Sequence, residues 1–183
     1  MSTPQKNLRC RRPSQGQDGQ SLLETAVAIP LMLWLAFNII NWGYLWVMVL
    51  TLSTAPRIGV QYATQGGAAG TSSSAPGTTA VSNLVYENLT NSINGATSST
   101  VAVQVCTSAK GVNAAGVALC DQFGPASNFP FATPAADPEA PVYVLDRVDV
   151  GYTVKPLIPG AGFAVILPAR LNFHRQVSMR SLY

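Results

Sequence analysis

Charge is the scarcest commodity in this chain. Only 10% of its 183 residues are Asp, Glu, Lys or Arg, against roughly 25% in an ordinary soluble domain. The net charge of +3 is unevenly placed. Lys6, Arg9, Arg11 and Arg12 precede a long apolar run and face only Asp18, and beyond Gln20 the acidic and basic residues cancel. A near-neutral body argues against a nucleic-acid surface, which would cluster Lys and Arg on one face.

Histidine occurs once, at His174, and cysteine three times, at Cys10, Cys106 and Cys120. A zinc site needs four ligands, and His174 with two cysteines falls short of that. Gly-x-Ser-x-Gly elbows and His-rich metal motifs are missing. Two acidic pairs remain. Asp137 and Glu139 belong to the Pro-rich stretch Asp137-Pro138-Glu139-Ala140-Pro141, which reads as an exposed loop. Asp146 and Asp149 are three apart and fall on opposite faces of a strand. No acid/base pair, catalytic residue, metal site or cofactor motif is legible, and the expectation is a protein that is not an enzyme. His174 alternates away from the apolar positions of its strand and is expected at a solvated surface.

The longest gap in charge runs from Glu24 to Arg57. Leu22 to about Leu52 is mostly Leu, Ile, Val, Ala, Met, Phe and Trp, and about 20 such residues span a bilayer as a helix. The competing reading is a buried helix of a soluble protein. A removable secretory signal would have a shorter apolar core and a small-residue cleavage site. Ser53-Thr54-Ala55 offers one, but Pro56 follows it. A retained helix fits better. Basic residues before the run place the N-terminus in the cytoplasm and the C-terminal part outside. Trp42, Tyr44 and Trp46 would form an aromatic belt at the outer interface. Asn38 and Asn41 share a helix face; they suit either a partner helix within lipid or water at the interface.

Glu24 is the one carboxylate at the edge of that run. Ser21-Leu22-Leu23-Glu24 fits a capping box, in which each side chain satisfies an orphan backbone N–H. The acid also suits the positive end of the helix dipole. Capping leaves the Arg-rich leader and Gly19 unexplained.

A basic leader, Gly19, four residues, Glu24 and then an apolar helix resembles the N-terminus of type IV prepilins. The resemblance implies cleavage between Gly19 and Gln20 by a membrane-embedded prepilin peptidase, with Glu24 pairing to the freed amine of a neighbouring subunit. More narrowly, residues 16–66 look like TadE-like proteins of tight-adherence (Tad/Flp) pili, with matches at Gly19, Glu24, Pro30, Arg57, Gly59, Tyr62 and Ala63. Departures occur at Thr25, Pro56, Ile58 and Gln61. The implied role is a minor pilin or pseudopilin that packs its helix, through Glu24, Asn38 and Asn41, with other pilin-like subunits. Its implied partners are those subunits, the Tad assembly machinery, the prepilin peptidase and membrane lipids. The alternative is an uncleaved, signal-anchored periplasmic binding domain.

Beyond the helix, Pro56 lacks an N–H and predicts a kink or break. A Gly/Ser-rich stretch over 66–78 reads as a flexible linker. Thr79 onward has helical spacing at Val81, Leu84, Val85, Leu89 and Ile93, with Asn94-Gly95 as the stop. Thr100–Cys106, Tyr143–Val154 and Ala169–Met179 alternate in strand fashion. The expected fold is α+β, pilin-like: an N-terminal transmembrane helix over 20–65, after a basic leader over 1–19, and an extracytoplasmic domain over 79–183. In that domain a helix packs on an antiparallel sheet. Cys106 and Cys120 fall in the exported part, where oxidation is possible. A bridge there is expected, at about 3 kcal/mol in the chain-entropy model; two buried thiols are the alternative.

Overall fold

The computed structural model describes residues 17–65, 75–126, 130–131, 133–140, 142–158 and 170–182, and side chains within these except 17–20 and 182. The basic leader with Cys10, most of the Gly/Ser-rich stretch (66–74) and Pro159-Gly160 lie outside the described residues.

The described elements are helix α1 (Gln17–Gln65), helix α2 (Thr78–Ser92) and strands β1 (Val101–Val112), β2 (Ala118–Phe123), β3 (Tyr143–Val154) and β4 (Leu171–Leu182). The strands form one antiparallel sheet in the order β2-β1-β3-β4. The fold is α+β, with a long apolar N-terminal helix.

At 49 residues, α1 is about 70 Å long at ~1.5 Å per residue. It runs unbroken through Pro30 and Pro56, so of the kink or break expected at the second proline, no break occurs. Pro56 removes the N–H that would bond the Leu52 carbonyl, and an interior proline costs ~3 kcal/mol or more. Tertiary packing outweighs that cost: Leu52, Ala55 and Val60, on both sides of Pro56, are buried in the core. The start of the helix differs from expectation too. It begins at Gln17, so Ser21 is interior and the Ser21/Glu24 capping box is not formed. Thr25 Oγ1 instead donates to the Ser21 carbonyl at 2.7 Å.

The core explains why the second half of α1 belongs to the domain. Met48, Leu52, Ala55, Val60 and Ala63 make a stripe at helical spacing and meet Val81, Val85 and Leu89 of α2 and the inward residues of the sheet. On the sheet, Val101, Val103 and Val105 of β1 pair with Tyr152, Val150 and Val148 of β3. Cross-strand pairs share a face, so alternate positions deliver one apolar surface to the two helices. The apolar run read as membrane segment to about Leu52 therefore divides. Its last part, from Tyr44 and Leu45 onward, packs on the domain.

Two glycines allow the close approaches. A Cβ on Gly59 would stand 2.6 Å from Val85 Cγ2, where α1 crosses α2. Gly124, at φ +83°, ends β2, and a Cβ there would collide with the Val101 carbonyl and the Tyr86 hydroxyl. Tyr86 itself donates to that carbonyl at 3.2 Å, tying α2 to the start of β1.

Strand β2 was not expected. It is short, and only Ala118 is buried along it, so its hydrophobic alternation is faint. A turn fixes its register: Asn113 Oδ1 accepts from the N–H groups of Ala115 and Val117 at 2.9 and 3.0 Å.

Candidate assembly surface and its junction with the domain

The exposed half of α1 is the most unusual surface of the molecule. From Ser21 through Ile40 nearly every side chain is exposed, the exceptions being Trp34, Phe37 and Asn38. Leu22 and Leu23 are 73% and 70% exposed, Met32 68% and Ile39 70%. These 20 positions span about 30 Å as a helix, the thickness of a bilayer core. The helix is long and apolar enough to cross a membrane. Glu24 is exposed about two turns beyond the helix start. Gly19 and Gln20 lie in the first turn of that helix.

The aromatic cluster near the far end splits. Trp42 and Trp46, four apart, are 45% and 65% exposed. They line a shallow apolar groove with Leu35, Asn38, Ile39 and Gly43. Tyr44 points the other way and packs against the domain core. Only the two tryptophans could serve as an interfacial belt.

The two asparagines also behave differently from expectation. Asn41 is 1% exposed. Its Oδ1 accepts from the Ile158 N–H at 2.9 Å, and its Nδ2 donates to the Ile158 carbonyl at 3.3 Å. Both backbone groups of one residue are thus satisfied by one amide, which a buried backbone requires. Asn41 fastens the chain after β3 to α1 and is not available to a neighbouring helix. Asn38 is 5% exposed, and its Nδ2 donates back to the Trp34 carbonyl at 2.8 Å.

Cys106 and Cys120 form a disulfide between directly paired residues of β1 and β2. Near it, Asp121 gathers Lys110 Nζ and, at 2.6 Å, Thr78 Oγ1. The hydrogen bonds from Lys110 and Thr78 hold the Asp121 carboxyl below the usual range. The first residue of α2 is thereby tied to the sheet edge.

The sheet face turned away from the helices carries a buried ionic group that the sequence reading missed. Asp149 is fully buried, with Arg147 Nη2 2.6 Å and His174 Nε2 3.7 Å from its carboxylate. Burial pushes its carboxyl up, against the pull of Arg147 and His174. His174 is not a solvated surface residue: its side chain is 25% exposed and its ring lies 5.9 Å from that of Phe131. The segment 137–140 is a turn with Pro138 and Glu139 exposed, as expected, but Asp137 itself turns inward. Its side chain is buried, receiving Arg180 Nε at 2.7 Å and the Glu139 N–H at 2.9 Å. Asp146 is buried on the opposite face from Asp149, as their pairing with Met179 and Gln176 requires. It accepts from the Ser108 N–H at 2.6 Å, and burial raises its pKa.

Each of these carboxylates has a structural use in tying one segment to another. Among the described residues no group of His, Cys, Asp and Glu is arranged to hold a metal ion. Period-2 alternation could have flagged Arg147, Asp149 and His174, since all three occupy one face of neighbouring strands; the pairing of β3 with β4 was needed to put them side by side.

Comparison with protein-family models, curated proteins and solved structures finds no match for this chain.

Proposed function

We propose that the protein is a TadE-like minor pilin or pseudopilin that supports biogenesis of a Tad-type pilus by packing and not by catalysis. The observation that carries this reading is the bipartite α1. One continuous helix has an exposed apolar first half and a second half that is the spine of a small α+β domain. A helix built this way can stand in the inner membrane, N-terminus in the cytoplasm, and later lie beside other pilin helices while its domain stays outside. Glu24, near one end of the apolar half, would be costly in lipid unless paired. The amine released by cutting after Gly19 is a suitable partner on a neighbouring subunit. Cutting requires the first helical turn to open around Gly19 and Gln20; helix ends fray readily, and glycine lets an extended backbone enter a narrow active site.

The continuity of α1 across the Gly19–Gln20 bond favours a second reading, an uncleaved anchor for an extracytoplasmic binding domain. N-terminal sequencing of protein extracted from the membranes of its own host separates them. The pilin reading expects a chain beginning at Gln20, slower cleavage in Gly19→Ala and impaired assembly in Glu24→Ala. A chain that retains its first residues in cells with active peptidase leaves the anchor reading.

A further inference from the structure

An open polar groove lies beside the point where α1 enters the domain. Tyr44, Asn94, Thr100, Tyr152, Lys155 and Arg170 are among its polar lining residues, beside the hydrogen-bonded pair Thr153 and Asn172. Lys155 and Arg170 are exposed, no described lining residue is acidic, and neither cation forms an ion pair among the described residues. Between them in sequence, residues 156–169 carry no charge at all. Two cations in a groove without a carboxylate, beside hydroxyl and amide donors, suit a singly charged phosphodiester.

The position of the groove narrows the source of that phosphate. Asn41, one turn before Tyr44, bonds both backbone groups of Ile158, so the chain leaving Lys155 is fixed to α1 where the largely exposed stretch Ser21–Ile40 ends. Trp42 and Trp46 flank the same level on the outer side of the helix, the depth at which such rings meet headgroups. We infer that this groove binds the phosphodiester headgroup of an anionic phospholipid in the outer leaflet of the bilayer that α1 spans. The inference rests on the membrane reading of α1 given above. Lys155 and Arg170 would neutralise the phosphate, and Tyr44, Tyr152 and Asn94, which line the same groove, carry hydroxyl and amide donors for its oxygens or the glycerol.

The test uses the full chain in nanodiscs of equal phosphatidylglycerol and phosphatidylcholine, with retained lipid identified by native mass spectrometry after mild detergent extraction. The wild type should retain phosphatidylglycerol over phosphatidylcholine, and Lys155→Gln and Arg170→Gln should each lower that preference about fivefold. Equal retention of the two lipids by the wild type, or an unchanged preference in the double variant, overturns the groove assignment while leaving the membrane reading intact. A chain that does not float with the bilayer overturns both. Glycerophosphoglycerol added to the detergent-solubilised chain distinguishes the sources: weak binding supports the lipid, and binding as tight as to the nanodisc overturns the lipid assignment in favour of a soluble phosphodiester.

Discussion

The two halves of α1 both carry large apolar side chains and place them in opposite surroundings. Leu33 and Leu35 are 51% and 43% exposed, whereas Leu52 is 3% exposed. Gly43 has open space where its Cβ would be, whereas Gly59 is pressed against Val85. Apolar character alone thus does not distinguish a surface meant for lipid from one meant for a core. The distinction comes from what else the chain can bring to that face. The second half meets α2 and the sheet; the first half has only a partner outside the domain to cover it.

Substitutions that act on one half and spare the other test this division. The largest effect is expected from Leu33→Arg. A charge at the centre of the exposed half should cost insertion ~2.5–3.5 kcal/mol, read as lost membrane flotation, with the thermal unfolding of the domain in micelles unmoved. If the domain melted earlier, the first half would be a structural part of it. Gly59→Ala is the converse. Its new methyl must displace Val85, and overpacking of this kind costs about 1–3 kcal/mol, seen as a lower midpoint in denaturant. Gly43→Ala, inside the helix and in open space, should leave that midpoint unchanged or raise it, by up to ~1 kcal/mol of helix propensity, so equal losses at the two glycines would erase the contrast.

The junction is next in size. Asn41→Ala strands the N–H and carbonyl of Ile158, which at ~1–3 kcal/mol per buried unsatisfied group should speed amide exchange over residues 155–158. Slow exchange in the variant would mean that the two halves meet without this clamp. The smallest effect concerns pH. Burial raises the Asp146 carboxyl above its ordinary value of 3.8. A raised folded-state pKa contributes stability that is full below the unfolded value and is lost as pH rises through the folded one. Asp146→Asn keeps an acceptor for the Ser108 N–H and should gain stability relative to wild type as pH rises from acid to neutral. A constant difference between the two proteins at all pH values would show that the Asp146 charge is not what burial penalises.

Much of the domain was legible in advance. Helix α2 and strands β3 and β4 occupy nearly the segments that periodicity marks, and β1 begins where expected but runs on to Val112. The 3.6- and 2-residue periods follow from the apolar face that each turns to the core, although β1 and β3 are also buried on the other face over Val101–Thr107 and Asp146–Gly151. Strand β2 was illegible because it lies at the sheet edge with one buried side chain and so has little alternation to read. Pro56 misled for a related reason: local propensity argues for a break, and packing on both sides of the proline outweighs it. His174 and Asp137 were both assigned to solvent on local pattern. The half-buried position of His174 and the burial of Asp137 depend on Asp149 and Arg180, residues far from them in sequence.

The sequence by itself determined that a helix with a long uncharged run precedes a small α+β body, since charge spacing and hydrophobic period are properties of the chain alone. It also set the chemistry at either end of the apolar run, with Gly19 and Glu24 before it and Arg57 after it. Where that run meets the domain was decided only by the tertiary structure. It does so on one side from Asn41 and Tyr44, the first points at which the β3–β4 connection and the core reach back to α1, while Trp46, Val47 and Leu50 on the other side stay exposed. Burial is a relation between distant segments, and an apolar residue carries no mark of which neighbour will cover it.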